Sequence, residues 1–293
     1  MAKILFLLQQ GGGNVIQTIP AYLALKETHD IDLVYMPIYP TDSVSKCDIY
    51  PGDIKEVTPE EVRKIRKNYD WQINYPYGFL VNPQGSYVSD VLDNLNETDS
   101  EVTRDMQVCD FFGVKKDIKR EWRSNERKGR FILIANGSLN VKEWAKKKYP
   151  MMANLVKLLK QKTDIPIASI GGKEEYVRGT VDLTGIPLLD TAGYMEKAHM
   201  CITTDTMAMH MAGLMEVPTV AVFTCTSETK NLDKEFHHSV KVVRNNIPCS
   251  PGQWGYHWHP ECVVCANLRG YGFVPCQNVS PQKILGAVDL GKI

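Results

Sequence analysis

A group of polar residues follows a buried strand near residue 205. The segment 200–205, "MCITTD", has the composition of a strand, and 206–215 suits a helix. The first turn of a helix has backbone N–H groups without intrahelical partners and carries the positive end of the helix dipole. Asp205 is expected to cap this helix, Thr206 to add a hydroxyl contact, and His210 to lie one turn further along the same face. This spacing predicts a binding site for an anion such as a diphosphate.

The neighbouring strand extends this site. The segment 218–223, "PTVAVF", is predicted to be a strand, and the hydroxyls of Thr224 and Thr226 follow its end. In open α/β sheets ligands bind outside the carboxyl ends of the strands. Each residue alone also fits a structural role, because Asp205 and Thr206 are ordinary helix-capping residues and His210 fits a hydrogen-bonded core.

Four cysteines near the end of the chain form a second cluster that could do chemistry. Their spacing is C-x12-C-x2-C-x10-C, and four thiolates around one CxxC pair can close a tetrahedral site for structural zinc or iron. A disulfide pair, or thiols beneath a loop, are the alternatives. The predicted metal ligands are Cys249, Cys262, Cys265 and Cys276.

The elements that position these residues alternate between strands and helices. Apolar runs of strand length are followed by amphipathic segments, which indicates parallel sheets with helices on both faces. The fold class is therefore α/β, with two Rossmann-like domains and a C-terminal cysteine-rich module. The predicted strands are 4–8, 31–36, 69–74, 131–136, 165–172, 200–205 and 218–223, and the predicted helices are 16–26, 59–68, 88–95, 149–161, 206–215 and 281–290.

Composition limits the class of protein. The chain has 293 residues, of which 43% are hydrophobic and 23% charged, and 34 basic residues balance 34 acidic ones. This balance argues against a chain built wholly around nucleic acid, although a local basic patch remains open. The apolar run at the start is too short for a signal peptide or a membrane span, so no transmembrane segment and a cytoplasmic location are expected.

A basic run marks the predicted domain boundary. Residues 114–130 contain eight basic and three acidic residues, a pattern typical of a solvated linker but also compatible with an anionic ligand. The predicted organisation is an acceptor-side domain over 1–115, a basic linker over 116–130, a donor-binding domain over 131–245, and the cysteine module with a return helix over 246–293.

The segment "TTDTMAMHMAGLMEVPTVAVFTCT" resembles the nucleotide-sugar signature of the heptosyltransferase-like glycosyltransferases of family 9, which have the GT-B fold. That family shows Asp-Thr-Gly-x-x-His, then Ala, Val-Pro and Phe-Gly-x-Thr. Met207 and Thr224 replace the family's glycines. The matching residues are Asp205, Thr206, His210, Pro218, Phe223 and Thr226.

Three further segments resemble the same family in the same order. "NGSLNVKEW" resembles the loop that holds the donor phosphates, which implies Ser138 and Lys142. "IGGKEE" resembles the turn whose acidic residue contacts the ribose, which implies Gly171 with Glu174 or Glu175. "GGGNVIQTIPAYLALK" resembles the turn that faces the acceptor and implies Gly12, Gly13 and Asn14.

The resemblance implies transfer of a sugar from a nucleotide-diphosphate donor, similar to ADP-heptose, without a nucleotide-bound metal or other catalytic cofactor. The chain departs from the family where the catalytic base is expected, because Asn14 stands in place of an aspartate. An amide cannot accept a proton at neutral pH. Either another carboxylate serves, with Asp42, Asp70 and Asp90 as candidates, or the acceptor needs little deprotonation, or the protein binds its donor without transferring the sugar.

The acceptor is the least constrained part of the hypothesis. Trp71, Tyr75 and Tyr77 lie in an aromatic-rich segment, and flat aromatic faces stack on sugars and on nucleobases. A lipopolysaccharide core sugar, a protein or a modified DNA base therefore remain possible acceptors. Since bacteriophages encode small glycosyltransferases that modify DNA, a compact member with a basic linker also suggests a phage enzyme that flips its target base out of the duplex.

Overall fold

The computed structural model describes residues 1–9, 11–38, 44–76, 78–88, 99–120, 129–137, 146–248, 253–254, 257–258 and 274–290. The chain forms two compact units. The first comprises Met1–Arg123 with Leu232–Phe236, and the second comprises Ser124–Asn231 with His237–Ile293. The division at Arg123 falls inside the predicted linker. Within the described ranges, no helix has the length and apolar character needed to cross a membrane.

The first unit contains a five-stranded sheet in the order β3-β2-β1-β4-β5. β1, β2 and β4 are parallel, as predicted, because their apolar runs can be buried on both faces. β3 and β5 were not expected, since each is only three residues long; β5 pairs antiparallel with β4. The strands are β1 Lys3–Leu8, β2 Asp30–Tyr35, β3 Ile54–Glu56, β4 Trp71–Tyr75 and β5 Phe79–Val81.

The glycine segment after β1 is helical, which corrects the predicted turn. Gly11 is the N-cap of a short helix, α1 Gly12–Gln17, and α2 Ile19–Lys26 follows directly. The two helices separate at Thr18 because Pro20 has no N–H to continue the helical hydrogen bonds, and the Thr18 hydroxyl donates to the Val15 carbonyl at 2.8 Å. The remaining helices of this unit are α3 Pro59–Ile65, α4 Glu101–Met106 and α5 Val108–Phe111.

Leu232–Phe236 belongs to the first unit although it lies far from it in sequence. One carboxylate oxygen of Asp233 accepts hydrogen bonds from the hydroxyls of Ser100 and Thr103, both at 3.0 Å. The other accepts from the backbone N–H groups of Glu235 and Phe236, both at 2.9 Å. These bonds fix the segment at the start of α4. No composition signal marks it in the sequence.

The second unit contains a six-stranded parallel sheet in the order β11-β10-β9-β6-β7-β8. The chain order therefore reverses between β6 and β9, as in a doubly wound nucleotide-binding fold. Strands predicted at 131–136, 165–172, 200–205 and 218–223 are confirmed. The strands are β6 Ile132–Ala135, β7 Ile167–Ser169, β8 Val181–Asp182, β9 Met200–Thr204, β10 Thr219–Phe223 and β11 Val240–Arg244, and a separate pair joins β12 Gln253–Trp254 with β13 His257–Trp258.

Helices cover this sheet and form one core with it. α6 buries Met152, Leu155, Val156 and Leu159, which recur at helical spacing, against Ile132 and Ile202 of the sheet. Tyr149, before α6, donates to the Val279 carbonyl at 2.6 Å and so fixes the segment that leads into the last helix. The helices are α6 Met152–Lys160, α7 Leu188–Lys197, α8 Met207–Leu214, α9 Glu228–Asn231 and α10 Pro281–Ala287.

Candidate functional site

The carboxyl ends of β6, β7, β9 and β10 lie along one edge of the second sheet, and the candidate donor residues follow these strands. At the point where the strand order reverses, the Thr204 hydroxyl at the end of β9 donates to the carbonyl of Gly137 after β6 at 3.0 Å. Ligands of open α/β sheets bind outside such a switch point. Gly171 follows β7, Asp205 and Thr206 follow β9, and Thr226 follows β10.

The helix after β9 begins one residue later than predicted. Thr206 is its N-cap, and the prediction that Asp205 caps it is wrong. In this described part of the chain, the Thr206 side chain makes no capping hydrogen bond; its hydroxyl lies 3.3 Å from that of Thr203. The first N–H groups of α8 are thus not capped by the Thr206 side chain. Together with the positive end of the helix dipole, they suit an anion.

Asp205 is instead the centre of a buried polar cluster. Its carboxylate is 4% exposed, lies 2.9 Å from the Lys147 ammonium and accepts a hydrogen bond from the Asn231 amide at 3.3 Å. Burial by itself raises the pKa of this carboxyl. The positive charges of Lys147 and His210 and a hydrogen bond from Lys147, with the Thr226 hydroxyl close by, outweigh burial, so the pKa of Asp205 lies below its ordinary value. Asp205 is therefore ionised at neutral pH.

His210 is buried and paired with a second histidine. Its Nδ1 lies 3.0 Å from Nε2 of His237, and the two side chains are 4% and 3% exposed. Sequence reasoning missed His237 and Lys147. His237 lies 27 residues from His210, so no local spacing connects the two rings. Thr224, which replaces a family glycine, donates its hydroxyl to the Lys146 carbonyl at 2.7 Å and so fixes the chain beside Lys147.

The structure separates the two acidic residues proposed for the ribose. Glu174 is exposed, whereas Glu175 is partly buried and its carboxylate accepts a hydrogen bond from the Gly172 N–H at 3.1 Å. Gly137 and Gly171 leave the space that this carboxylate occupies. A Cβ on Gly137 would lie 2.5 Å from Glu175 Oε2, and a Cβ on Gly171 would lie 2.0 Å from it. Glu175 thus lies at the carboxyl edge, close to the ends of β6 and β7.

Replacing Gly171 by alanine is expected to displace Glu175 and to destabilise the protein. Gly171 has φ +121°, which L-residues rarely adopt, and the added methyl overlaps the carboxylate. We expect the free energy of unfolding to fall by about 1–3 kcal/mol. Gly193→Ala in α7 is the matched control, because its Cβ meets nothing within 4 Å and alanine favours a helix. Urea unfolding of the two variants gives the comparison. If Gly171→Ala is as stable as the wild type, the claim that position 171 requires glycine is contradicted.

On the acceptor side, Gly12, Gly13 and Asn14 lie in the first turn of α1, at the carboxyl end of β1. The strand order of the first sheet reverses beside this strand, between β1 and β4. Asn14 is partly buried. These three residues therefore occupy the switch point of the first sheet, which is where a ligand is expected.

The structure does not bring Trp71 together with Asn14. Trp71 starts β4 opposite Ile4, so it lies at the amino edge of the sheet, where its ring packs against Phe111 with centroids 4.9 Å apart. Tyr75 ends β4 but is 1% exposed; it stacks on Phe6 at 4.3 Å and donates its hydroxyl to the Asp105 carbonyl at 3.1 Å. Tyr75 therefore serves the core in this structure.

Asp70, one of the three candidate bases, also lies at the amino edge. Its carboxylate accepts a hydrogen bond from the Lys3 backbone N–H at 2.8 Å, and its own N–H donates to the Lys3 carbonyl. The structure therefore does not place Asp70 beside Asn14. The other candidate residues that lie outside the described ranges are Asp42, Asp90, Tyr77, Ser138, Lys142, Cys249, Cys262 and Cys265.

The described part of the basic linker is neutralised by nearby carboxylates. Lys115 pairs with Asp117 at 2.8 Å, Lys116 with Asp110, and Lys119 with Glu27. Arg120 donates to the Glu235 backbone carbonyl. Paired lysines contribute less to phosphate binding than unpaired ones. Each of these three lysines is thus balanced by one carboxylate in this described part of the basic run.

Of the predicted metal ligands, only Cys276 lies within the described ranges. It is buried beside Cys225 and Val274, in a small apolar cluster. Within those ranges no group of three or more histidine, cysteine, aspartate or glutamate side chains is arranged to hold a metal ion. The remaining three cysteines of the predicted set lie outside them, so the metal site stays a prediction.

Comparison with known proteins identifies the class of this fold and site. Residues 131–254 match the family model "Glycosyltransferase family 9 (heptosyltransferase)". Among solved structures, the chain is similar to the Escherichia coli ADP-heptose lps heptosyltransferase II, with a TM-score of 0.65, 15% identity and 97% of both chains covered. No curated protein sequence matches it.

Two further solved structures are similar over most of the chain. The family 9 glycosyl transferase of Veillonella parvula has a TM-score of 0.64 and 14% identity, with 98% of this chain and 96% of that chain covered. The iron-containing dodecameric glycosyltransferase TibC of enterotoxigenic E. coli has a TM-score of 0.63 and 13% identity, with 98% and 74% covered.

The α/β fold, with a mainly parallel sheet in the first unit and a parallel sheet in the second, is that of the GT-B glycosyltransferases, and the protein is a glycosyltransferase. Most of its second unit matches the domain of glycosyltransferase family 9, the heptosyltransferase family. The sequence resemblance to this family is thereby confirmed. The buried Asp205 cluster and the start of α8 both lie inside the matched residues 131–254.

Proposed function

We propose that this protein transfers a sugar from a nucleotide-diphosphate donor, similar to ADP-heptose, to a hydroxyl of a lipopolysaccharide core sugar. The observation that carries the proposal is the start of α8, which has no side-chain cap from Thr206 and lies beside the buried Asp205 cluster at the switch point of the second sheet. The similar E. coli protein is named an ADP-heptose lps heptosyltransferase, which supports this choice of donor and acceptor.

In this proposal the donor diphosphate binds at the N-terminus of α8. The backbone N–H groups after Thr206 and the helix dipole stabilise its negative charge. Ser138 and Lys142 contact the phosphates, as the family resemblance implies. Glu175, rather than Glu174, contacts the ribose, because its carboxylate lies at the carboxyl edge while Glu174 is exposed.

The remaining proposed donor residues shape the site around these contacts. Gly171 lets the chain turn beneath Glu175, and Met207 is the first residue of α8, directly after the proposed phosphate position. His210 and Thr226 lie close enough to Asp205 to lower the pKa of its carboxyl. Asp205 is expected to accept hydrogen bonds from sugar hydroxyls while Lys147 and Asn231 hold its carboxylate in place.

The reaction exchanges one bond at the anomeric carbon of the sugar. The acceptor oxygen forms a bond to this carbon while the bond to the diphosphate breaks, and the nucleoside diphosphate leaves with the electron pair. The helix N-terminus, Thr206 and Lys142 stabilise the charge that develops on the leaving group. No metal or other cofactor is assigned to this step.

The proton of the acceptor hydroxyl needs a base. Asn14 can orient the acceptor or a phosphate but cannot take the proton at neutral pH. Asp42 and Asp90 are the proposed bases, because Asp70 is bound to the Lys3 backbone at the opposite edge of the sheet. Gly12 and Gly13 are proposed to let the acceptor approach the backbone of α1, and Tyr77 to stack on it.

A cytoplasmic location fits the isolated cysteines. Burial raises the pKa of Cys47, Cys109 and Cys201 to about 12, so these side chains remain thiols at neutral pH and behave as small apolar groups. Such cysteines are typical of reducing compartments. We therefore propose the bacterial cytoplasm as the place of reaction.

Cys249, Cys262, Cys265 and Cys276 are proposed to bind one structural zinc or iron ion. The burial of Cys276 fits a thiolate shielded from solvent, and TibC is described as iron-containing. Metal analysis of the purified protein is expected to find about one ion per chain, as four thiolates close one tetrahedral site. The double variant Cys262→Ser, Cys265→Ser is expected to lose it. A metal-free wild-type protein that remains folded contradicts this site.

Turnover tests the proposed function. Protein incubated with ADP-heptose and a heptose-deficient lipopolysaccharide core is expected to release ADP and to add one heptose, measured by mass spectrometry, with slow donor hydrolysis when the core is absent. Tight donor binding without transfer or hydrolysis instead supports a non-catalytic role, to which Asn14 points. Transfer only to hydroxymethylated DNA would identify a phage-type DNA glycosyltransferase, for which the paired linker lysines offer no support.

A further inference from the structure

Between α9 and β11 the chain contains a five-residue segment, 232–236, that belongs to the first unit although the residues on both sides of it belong to the second. The Asp233 carboxylate accepts hydrogen bonds from the hydroxyls of Ser100 and Thr103, and from two backbone N–H groups of its own segment. Phe236, at the other end of the segment, is buried. The segment is therefore anchored in the first unit at the start of α4, where Ser100 is the N-cap.

The two residues that flank this segment both contact the candidate donor site. Asn231, directly before it, donates its side-chain amide to the Asp205 carboxylate at 3.3 Å and to the Ser227 carbonyl at 3.1 Å. His237, directly after it, has its Nε2 3.0 Å from Nδ1 of His210. Both flanking residues are buried. Anchoring of the five residues thus restricts two side chains that touch donor-site residues.

The helix that carries Asn231 is too short to hold this residue by itself. α9 has only four residues, and a single helical turn is not stable without tertiary contacts. Its start is fixed by Glu228, whose carboxylate accepts a hydrogen bond from the Arg244 guanidinium at 2.6 Å. Its end is Asn231, and Asp233 follows two residues later, within about 7 Å along the chain. The position of Asp233 therefore limits where the Asn231 side chain can lie.

We propose that Asp233 is a positioning residue for sugar transfer. By fixing its segment at the start of α4, it holds the Asn231 amide against Asp205 and so keeps this carboxylate in the orientation that receives the sugar. This inference rests on the proposed function, in which Asp205 accepts hydrogen bonds from sugar hydroxyls. Asp233 acts through Asn231, and the donor site of the second unit thereby depends on two hydroxyls of the first unit.

Asp233→Asn tests this role, because an amide has one acceptor oxygen and can no longer accept both sets of hydrogen bonds. We expect kcat/KM for the nucleotide sugar to fall about tenfold, since a small displacement of a contacting group reduces turnover. ADP affinity is expected to stay close to that of the wild type, because ADP lacks the sugar. Asp182→Asn is the matched control and is expected to keep wild-type kinetics. Asp182 is exposed and accepts hydrogen bonds from the hydroxyl and the backbone N–H of Thr184.

A double-mutant cycle tests whether Asp233 acts through Asn231. Asn231→Ala is expected to reduce kcat/KM, and Asp233→Asn is expected to add little in that background, because residues that act through one contact are not additive. If Asp233→Asn does not fold, Thr103→Val takes its place; it removes one hydroxyl donor and is expected to reduce kcat/KM about threefold, the effect of one net hydrogen bond. Additive effects in the cycle, or an unchanged kcat/KM of the folded single variant, overturn the proposal.

NMR of the ligand-free protein separates these results from failure of the proposed function. The side-chain amide signal of Asn231 is expected to shift in Asp233→Asn and to stay unchanged in Asp182→Asn; an unchanged signal in both overturns the anchoring. If calorimetry shows no ADP binding to the wild type, the proposed donor site fails, while the amide signal still decides whether Asp233 holds Asn231. If ADP binds and the signal shifts but kcat/KM is unchanged, the donor site stands and the role of Asp233 in transfer is rejected.

Discussion

Asp205→Ala is expected to reduce kcat/KM for the donor sugar by about a hundredfold, the scale observed when one preorganised polar contact is removed from an active site. The carboxylate is 4% exposed and holds the Lys147 ammonium and the Asn231 amide. Its removal leaves both groups without this partner at the switch point of the second sheet. The measurement is steady-state release of nucleoside diphosphate.

The expected loss concerns the sugar more than the nucleotide. Removing Asp205 also removes a negative charge near the proposed diphosphate position, so ADP affinity is expected to change much less than turnover. Asp190→Ala, an exposed carboxylate in α7, is the control and is expected to behave as wild type. If Asp205→Ala turns over its donor at the wild-type rate, the carboxylate has no part in the donor site.

Lys147→Met is expected to lower the free energy of unfolding at pH 7 by about 3 kcal/mol, because it leaves the buried Asp205 carboxylate without its ion-pair partner. The ammonium is 19% exposed and lies 2.9 Å from the carboxylate. Lys148→Met is the matched control, since methionine retains most of the aliphatic stem and Lys148 is also partly buried. Urea unfolding of both variants gives the comparison.

The pH dependence of this difference follows from the pKa of Asp205. In the wild type the pKa lies below its ordinary value, so the carboxylate stabilises the fold above that ordinary value and loses this effect as pH falls through the lowered pKa. Without Lys147, burial is expected to raise the pKa of the Asp205 carboxyl. The cost of burying an unpaired carboxylate then disappears as falling pH protonates this group. The destabilisation by Lys147→Met is therefore expected to be smaller at pH 5 than at pH 7. A difference that is constant or larger at pH 5 contradicts an ionised, Lys147-bound Asp205.

The second unit could be predicted well because its strands are long apolar runs buried in a parallel sheet. The segments leading to Asp205 and Thr226 were placed correctly, since β9 and β10 each contain five buried residues. β3, β5 and β8 were missed because two or three residues carry too little pattern to indicate a strand. β11 was missed as well, because only one of its five residues, Val243, is buried. The glycines after β1 were assigned to a turn on propensity, yet packing makes them helical.

The candidate site was only partly predictable because its contacts join distant segments. Asp205 was recognised, but its partner Lys147 lies 58 positions earlier, and the geometry that turns the carboxylate away from the helix cap has no local signal. Glu174 and Glu175 are adjacent and identical in type, so only the turn after β7 distinguishes them. Trp71 and Tyr75 look alike as stacking residues, but one lies at the wrong edge of the sheet and the other in the core.

Calorimetric titration of the wild-type protein with ADP, GDP, UDP and CDP tests the proposed donor site most directly, because it requires no assumption about the sugar or the acceptor. We expect ADP to bind at micromolar concentration and more tightly than the other three. A clear preference for UDP or CDP would retain a nucleotide site but contradict the ADP-heptose-like donor. If none of the four binds at micromolar concentration, the assignment of the donor site to the start of α8 is contradicted.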